Sequence, residues 1–388
     1  MPAEFVPGNC LTLLNSGVEF FPALLTAINE ARLDVYLESY IFEDDDTGRA
    51  VAGALMAAAR RGVTVRLLVD GFGAPAFSGR LLPALADAGV MAVVYRPEIA
   101  RFRLHRHRLR RLHRKLAVID SAIAFVGGIN ITDDCNAAAP LPPRYDYAVR
   151  IEGPVLVPIQ RAMHRLWEIV SWARTKRRYR IARSATTPEP SPRGEQAAAF
   201  LVRDNIRHRR DIEEAYLAAI AGARQSILIA NAYFLPGHRF RRALRKAAKR
   251  GVAVTILLQG RIEYRLLHYA TQALYGQFLN SGIRLFEYRH SFLHAKVAVI
   301  DARWATVGSS NIDPFSLLLA KEANIVVRDE KFVAELRLSL ENALREGAEE
   351  LPLQRWQQLP WPLALLRWTS YNLVRLAIGI SGYHGQDA

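Results

Sequence analysis

A chain of 388 residues is long enough for two domains of ordinary size, each with its own core. With 51% hydrophobic and 23% charged residues its composition is globular rather than disordered. The formal net charge of +15 points to a negatively charged partner, nucleic acid or an anionic membrane surface, and the two cysteines, Cys10 and Cys135, argue against a disulfide framework or a cysteine-built metal site.

The chain opens Met1-Pro-Ala-Glu4, with no positive stretch ahead of an apolar one. No signal peptide is expected, and the folded body is placed in the cytoplasm. Residues 31–42 read as an apolar strand, an Ala/Arg-rich helix follows, Arg61-Gly62 stops it, and a second apolar strand runs to Val69. The same grammar returns from Ala223 to Phe234 and from Arg250 to Leu258, at offsets of 192 (223 − 31) and 189 (250 − 61). Gly62 and Gly251 suit the left-handed residue that ends a helix. The strands are continuous apolar runs, as expected when both faces of a sheet are covered. Each half is therefore read as an α/β sandwich, a mixed or largely parallel sheet with helices on both faces. The first unit takes residues 1–183 and the second 197–350. Between them, 184–196 is polar, proline-rich and aperiodic, a linker, and 351–388 forms a separate C-terminal segment.

Each half carries one dense motif. The first is His113-Arg-Lys115-Leu-Ala-Val-Ile-Asp120 with Gly127-Gly128-Ile129-Asn130 after it; the second is His294-Ala-Lys296-Val-Ala-Val-Ile-Asp301 with Gly308-Ser309-Ser310-Asn311. His to Asp is 7 residues in both copies (120 − 113, 301 − 294), and His to Asn is 17 (130 − 113, 311 − 294). On a strand, His and Lys two apart point to the same face, so imidazole and ammonium converge on one small volume. Lysine supplies a compact cation for a phosphate oxygen, and Asn130 and Asn311 add neutral donors. The candidate catalytic set is His113, Lys115, Asp120, His294, Lys296 and Asp301. Within it Asp120 and Asp301, at strand ends, are expected to anchor a turn or a basic side chain rather than act on substrate. Asp146 and Glu322 are candidates to accept the second imidazole proton of a histidine and fix its tautomer. No His/Cys/carboxylate cluster with zinc or calcium spacing stands out, so neither a metal nor another cofactor is expected.

The paired motifs resemble the phospholipase D superfamily, from about Leu11 to Asn342. The resemblance implies a metal-independent, two-step reaction through a phosphohistidine, with both motifs in one active site at the interface of the halves. One histidine attacks phosphorus and the other moves the proton of the alcohol. By that resemblance His113 is the nucleophile and His294 the acid/base, although the two copies are too symmetric for the sequence itself to decide.

Flanking segments narrow the family. Leu37-Glu-Ser-Tyr-Ile-Phe42, Phe125-Val-Gly-Gly-Ile-Asn130, Ile229-Ala-Asn-Ala-Tyr-Phe-Leu-Pro236 and Val307-Gly-Ser-Ser-Asn-Ile-Asp-Pro314 are similar to bacterial cardiolipin synthases, in the subtype without N-terminal transmembrane helices. The resemblance implies phosphatidyl transfer between two phosphatidylglycerol molecules with release of glycerol, the rivals being a hydrolytic phospholipase D and a nuclease using the same histidines. The second copy departs from the first in carrying Ala230 where the first has Glu38; if Glu38 shapes the pocket, the half-sites differ.

Two basic runs, Arg101 to Arg111 and Thr175 to Arg180, fit an anionic bilayer, where each Lys or Arg contributes about 1 kcal/mol. The C-terminal stretch from Leu359 to Ile380 is apolar but interrupted by Arg367 and Arg375, which argues against a spanning helix. On a helical wheel Arg367, Asn372, Arg375 and Trp368 fall on one side and Leu366, Leu373, Ala377 and Ile380 on the other. That pattern suits a helix lying in the membrane interface. A nuclease has no evident use for it, so nucleic acid is disfavoured as a partner. The expected location is peripheral, on the cytoplasmic face of the bacterial inner membrane, with anionic phospholipids as partners.

Overall fold

The computed structural model of the chain describes residues 3–75, 77–97, 110–134, 142–175, 191–204, 207–357 and 360–380. Among the described residues the first half holds seven strands: β1 (Val6–Asn15), β2 (Asp34–Ser39), β3 (Thr64–Asp70), β4 (Met91–Tyr95), β5 (Lys115–Ile119), β6 (Ile123–Gly127) and β7 (Tyr147–Glu152). The second half contributes β8 (Gln196–Arg203), β9 (Ser226–Asn231), β10 (Ala253–Gln259), β11 (Arg284–Tyr288), β12 (Lys296–Ile300), β13 (Trp304–Gly308), β14 (Glu322–Arg328) and β15 (Ala348–Glu350).

Both halves are mixed sheets of the same plan. In the first, β2, β3 and β4 are parallel while β5, β6, β7 and β1 are antiparallel; in the second, β9, β10 and β11 are parallel and β12, β13, β14 and β8 antiparallel. Pairing of β1 with β8 joins the two into one continuous sheet. Helices α1 (Ser16–Glu30), α2 (Asp46–Arg60), α3 (Leu81–Asp87) and α4 (Leu156–Thr175) cover the first half. The second carries α5 (Asp211–Gly222), α6 (His238–Lys249), α7 (Arg265–Gln272), α8 (Tyr275–Leu279), α9 (Pro314–Leu318), α10 (Glu330–Gly347), α11 (Leu353–Gln357) and α12 (Trp361–Ile380).

Three cores result. One packs α1 and α2 on the first sheet around Val35, Leu55 and Leu67, and another packs α5 and α6 on the second around Ile229, Leu244 and Ile256. The third is shared: Val126 and Val149 from one half meet Val307 and Ile325 from the other, with α4 and α10 closing its sides. Fixing the halves against each other through an apolar core gives the site between them a rigid frame.

The duplication extends to a cap. Gly62 and Gly251 have φ of 92° and 90°, left-handed values that glycine adopts without strain. The arginine before each reaches back to the end of the preceding helix: Arg61 donates to Ile28 O at 3.0 Å and Arg250 to Ile220 O at 2.9 Å. Arg-Gly is thus a helix stop and a tie to the neighbouring helix in one dipeptide. The linker expected at 184–196 lies outside the described residues as far as 190, and Gln196 already opens β8.

Candidate active site

Each motif histidine sits two residues before the lysine that opens a buried strand, β5 or β12, and is stitched to the other half. The His113 N–H donates to Lys321 O at 2.9 Å and the Lys321 N–H to Arg111 O at 2.7 Å. In mirror fashion the His294 N–H donates to Tyr145 O, and the Tyr145 N–H to Phe292 O, both at 2.9 Å. These parallel bridges place the residue after each partner, Glu322 or Asp146, beside the opposite half's imidazole.

His113 Nδ1 lies 3.1 Å from Glu322 Oε2, and His294 Nδ1 lies 2.6 Å from Asp146 Oδ2. Gly127 pairs with Ala148 and Gly308 with Asn324, so Asp146 and Glu322 occupy the same place in the two repeats. The pairing is reciprocal across the interface. The repeats differ in how they hold the carboxylate: Ser309 Oγ donates to Glu322 Oε2 at 2.5 Å, whereas a Cβ at the corresponding Gly128 would lie 2.4 Å from Asp146 Oδ1. Gly128 leaves the room that the shorter acid occupies.

With Nδ1 committed, the Nε2 atoms of both rings are left for a cavity of about 300 Å³ lined by His113, His294, Asn130 and Asp146. Burial pushes His113 below the ordinary histidine range, with Glu322 opposing; His294 is pushed down to about 4 by burial and by the Lys296 charge, with Asp146 opposing. Burial works against charge on Glu322 and Asp146 too. There it loses to His113 and Lys115 around Glu322, and to Lys296 and His294 around Asp146, so both carboxyls lie below their usual range. These shifts favour charged carboxyls and neutral imidazoles at neutral pH, with each Nδ1–H directed to a carboxylate and each Nε2 toward the cavity.

The lysines stand behind the rings. Lys115 Nζ donates to His113 O at 2.6 Å and lies 5.3 Å from the Tyr40 ring centroid; burial pushes it down to about 7, with Glu322 opposing. Lys296 is wholly buried, with Nζ 2.8 Å from His294 Nδ1 and 3.5 Å from Asp146 Oδ2. Asn130 lines the cavity, its Oδ1 accepting from Ile41 N–H at 3.2 Å. Asn311 is buried after β13 but is not among the cavity-lining residues.

Asp120 and Asp301 belong to the motif and not to the cavity. Each follows the last residue of its strand, roughly 16 Å from the lysine end at about 3.3 Å per residue. Asp120 accepts from the backbone N–H groups of Arg32, Leu33 and Asp34 at 2.8–2.9 Å, and Asp301 from Arg224, Gln225 and Ser226 at the same distances. They close turns, both with left-handed φ (51° and 48°).

Glu38 does not line the cavity either. It is buried against Arg114, at 2.5 and 2.9 Å, on the strand face opposite His113 and Lys115. The second half has Ala230 and Ala295 in those places, so an ion pair in one repeat is two methyl groups in the other. Residues that sequence reasoning missed also line the cavity: Tyr40, Asp134, Arg144, Tyr233, Glu263 and Tyr264. Tyr40 and Tyr233 sit inside the duplicated segments, and the signal was there in the neighbouring positions.

Residues 101–109 of the first basic run and 176–180 of the second lie outside the described residues. Arg111 closes the first: its Nη1 is 3.7 Å from Asp70 Oδ1 and its guanidinium 5.2 Å from the Phe72 ring. The C-terminal helix α12 is turned otherwise than the wheel suggests. Arg367 faces the body, stacked 4.1 Å over the Trp356 ring and donating to Gln272 Oε1 at 2.9 Å, with Ser370 and Val374 buried beside it. The outward side carries Trp361, Leu365, Trp368, Leu373 and Leu376, all at least half exposed. Among the described residues no helix is long and apolar enough to cross a membrane.

The family described as cardiolipin synthase, PLD-like domain, matches the chain twice, at residues 24–167 and 216–344. Cardiolipin synthase B of Escherichia coli K12 is 38% identical over 402 residues, covering 97% of this chain and 94% of the relative. Cardiolipin synthase B of Salmonella typhi is 39% identical over 358 residues, 91% and 86% of the two chains. Phosphatidylserine synthase of Haemophilus influenzae Rd KW20 shares the fold, with a TM-score of 0.74 over 97% of this chain and 96% of that one, at 14% identity. Two matched repeats and near full-length relatives make the chain a member of the phospholipase D-like cardiolipin synthase family.

Proposed function

We propose that the chain is a phosphatidyltransferase that joins two phosphatidylglycerol molecules into cardiolipin and releases glycerol. The observation that carries the reading is the crossed pair of imidazoles, each held by the other half's carboxylate, facing one cavity. In the first step His113 Nε2 attacks phosphorus, the bond to the glycerol oxygen breaks, and His294, as imidazolium, gives that oxygen its proton. The anionic diester favours the imidazolium, since an opposite charge within about 4–6 Å raises a histidine pKa. In the second step a headgroup hydroxyl of another lipid attacks, neutral His294 takes its proton, and the phosphorus–nitrogen bond breaks to regenerate His113. Asn130 lines the cavity and can donate to a phosphoryl oxygen, while the Lys115 and Lys296 charges behind the rings favour the anionic group as its charge shifts along the path.

The outward apolar side of α12 supports a peripheral seat on the cytoplasmic face of the inner membrane. Two tryptophans and three leucines on one helical side fit burial at the headgroup boundary, and the excess of positive charge fits anionic lipid. Incubating the protein with phosphatidylglycerol vesicles and weighing the lipids and released alcohol by mass spectrometry tests the reading. Cardiolipin with glycerol is expected; phosphatidic acid alone would make water the acceptor and sink the transferase assignment.

A further inference from the structure

The duplicated segments differ at a position that faces the reaction. Aligning residues 31–42 on 223–234 sets Tyr40 against Ala232 and Ile41 against Tyr233. Tyr40 packs on His113 with ring centroids 4.7 Å apart, and the Lys115 ammonium stands over the same ring. At the corresponding place beside His294 the chain has only the methyl group of Ala232, whose N–H donates to Ala295 O at 3.0 Å. One imidazole carries a tyrosine ring against it; the other, beside a methyl group, is no more exposed, the two side chains standing at 17% and 14%.

The room left on the His294 side has a polar wall. The segment between β10 and α7 brings Glu263 and Tyr264 to the cavity, where Tyr233 and Arg144 meet them. Glu263 Oε2 accepts from the Tyr233 hydroxyl, Glu263 Oε1 lies 3.5 Å from Arg144 Nη1, and Tyr264 packs edge-on against Tyr233 at 5.9 Å. The side chains of Arg144 and Glu263 are 31% and 27% exposed, open enough to reach a bound molecule. A carboxylate has about four acceptor sites, and two neighbours leave some free.

We propose that Glu263, held by Tyr233 and Arg144, selects the alcohol: it binds the vicinal hydroxyls of a glycerol headgroup on the His294 side. This rests on the transfer reaction proposed above. In the first step that alcohol is the departing glycerol, which keeps both hydroxyls at Glu263; in the second it is the headgroup of the incoming lipid, which attacks through one of its two hydroxyls and leaves the other to Glu263. A carboxylate accepts from hydroxyls while guanidinium and phenol donate to them, which suits a neutral polyol. Water has no second hydroxyl to hold it there.

The test compares Glu263→Gln and Tyr233→Phe with the parent on two probes, vesicles of phosphatidylglycerol and vesicles of phosphatidyl-p-nitrophenol. The second probe has a leaving group without hydroxyls. Glu263→Gln is expected to lower glycerol release relative to p-nitrophenolate release about tenfold, the scale of a hydrogen bond to a charged group, and Tyr233→Phe about threefold in the same direction. Equal losses on both probes, or no loss on either, overturns the proposal. Tyr233→Phe removes one hydroxyl and keeps the test decisive where Glu263→Gln fails to fold. A parent enzyme that makes no cardiolipin defeats the transferase reading instead; an active parent with an unchanged ratio in the variants defeats only this subsite.

Discussion

His113 and Glu322 are 209 residues apart in sequence and 3.1 Å apart in space, and the bond between them crosses the interface of the two repeats. Its counterpart, His294 to Asp146, crosses the other way. Neither half can orient its own imidazole. A duplicated gene product whose tautomers are fixed only in the assembled pair has a physical reason to keep both repeats on one chain.

Glu322→Gln keeps the shape and removes the charge, and its amide can offer an N–H where Nδ1 needs an acceptor. The expected loss in kcat is about hundredfold or more, as when the acid behind a catalytic histidine becomes an amide. Asp146→Asn should lose at least as much with a glycerol leaving group and less with p-nitrophenol, which departs without help from an acid. Steady-state rates on both probes check the pair; equal losses on both probes in Asp146→Asn would contradict the acid role of His294.

Lys115 sets an expectation in pH. Burial holds its ammonium down at about 7, so the free enzyme loses that cation as pH rises through neutrality. For an anionic lipid kcat/KM should therefore fall from about pH 7 upward. Lys115→Arg keeps its charge at every accessible pH and should move that fall to higher pH, even with a lower plateau. A pH profile of kcat/KM for the two proteins decides it.

Asp301→Ala should cost stability and spare the chemistry. Three backbone N–H groups lose their acceptor, and a residue with positive φ loses the short polar side chain that tolerates it, for about 2–3 kcal/mol in all. Burial raises this carboxyl, but the three N–H groups and Arg337 outweigh it, so its folded pKa lies below the unfolded value near 4. The stabilisation is therefore full above about pH 4 and is lost as pH falls through the folded value. Urea melts at pH 7 and pH 3 should show a large difference between parent and variant at the first and a smaller one at the second.

The ion pair of Glu38 and Arg114 is testable against the protein's own second half. Glu38→Ala leaves a buried guanidinium without its carboxylate and should cost about 3–5 kcal/mol. Adding Arg114→Ala reproduces the Ala230/Ala295 pair of the other repeat and should recover part of the loss. A double-mutant cycle by denaturant melting measures the interaction; additive losses would mean that the two side chains stabilise the strand independently.

The motifs were legible because strand geometry converts a spacing of two into a shared face, and the repeat because apolar strands and Arg-Gly stops recur at a near-constant offset. Asp146 and Glu322 were legible as acids near the motifs. Which histidine each serves was not, because that depends on backbone bridges between residues as distant as Leu112 and Lys321. Glu38 misled as a pocket residue because alternation along β2 and the charge of Arg114 turn it to the buried far face. Arg367 misled for a related reason. A wheel sends every charge outward, but a guanidinium stacked on an indole and bonded to an amide can point inward.

That inversion makes the last prediction sharper. If lipid meets the outward side of α12, Leu365→Asp with Trp368→Asp should weaken binding to phosphatidylglycerol vesicles about hundredfold or more, since each large apolar side chain removed from water contributes about 1.5–3 kcal/mol. Arg367→Met should leave lipid affinity close to the parent and loosen the helix from α7, read as faster amide exchange across residues 361–380. The opposite pattern, with Arg367→Met abolishing vesicle binding and the double substitution sparing it, would mean that the charge and not the apolar side carries the membrane contact. Cosedimentation at two ionic strengths separates the cases, because an apolar contact survives salt that screens a basic one.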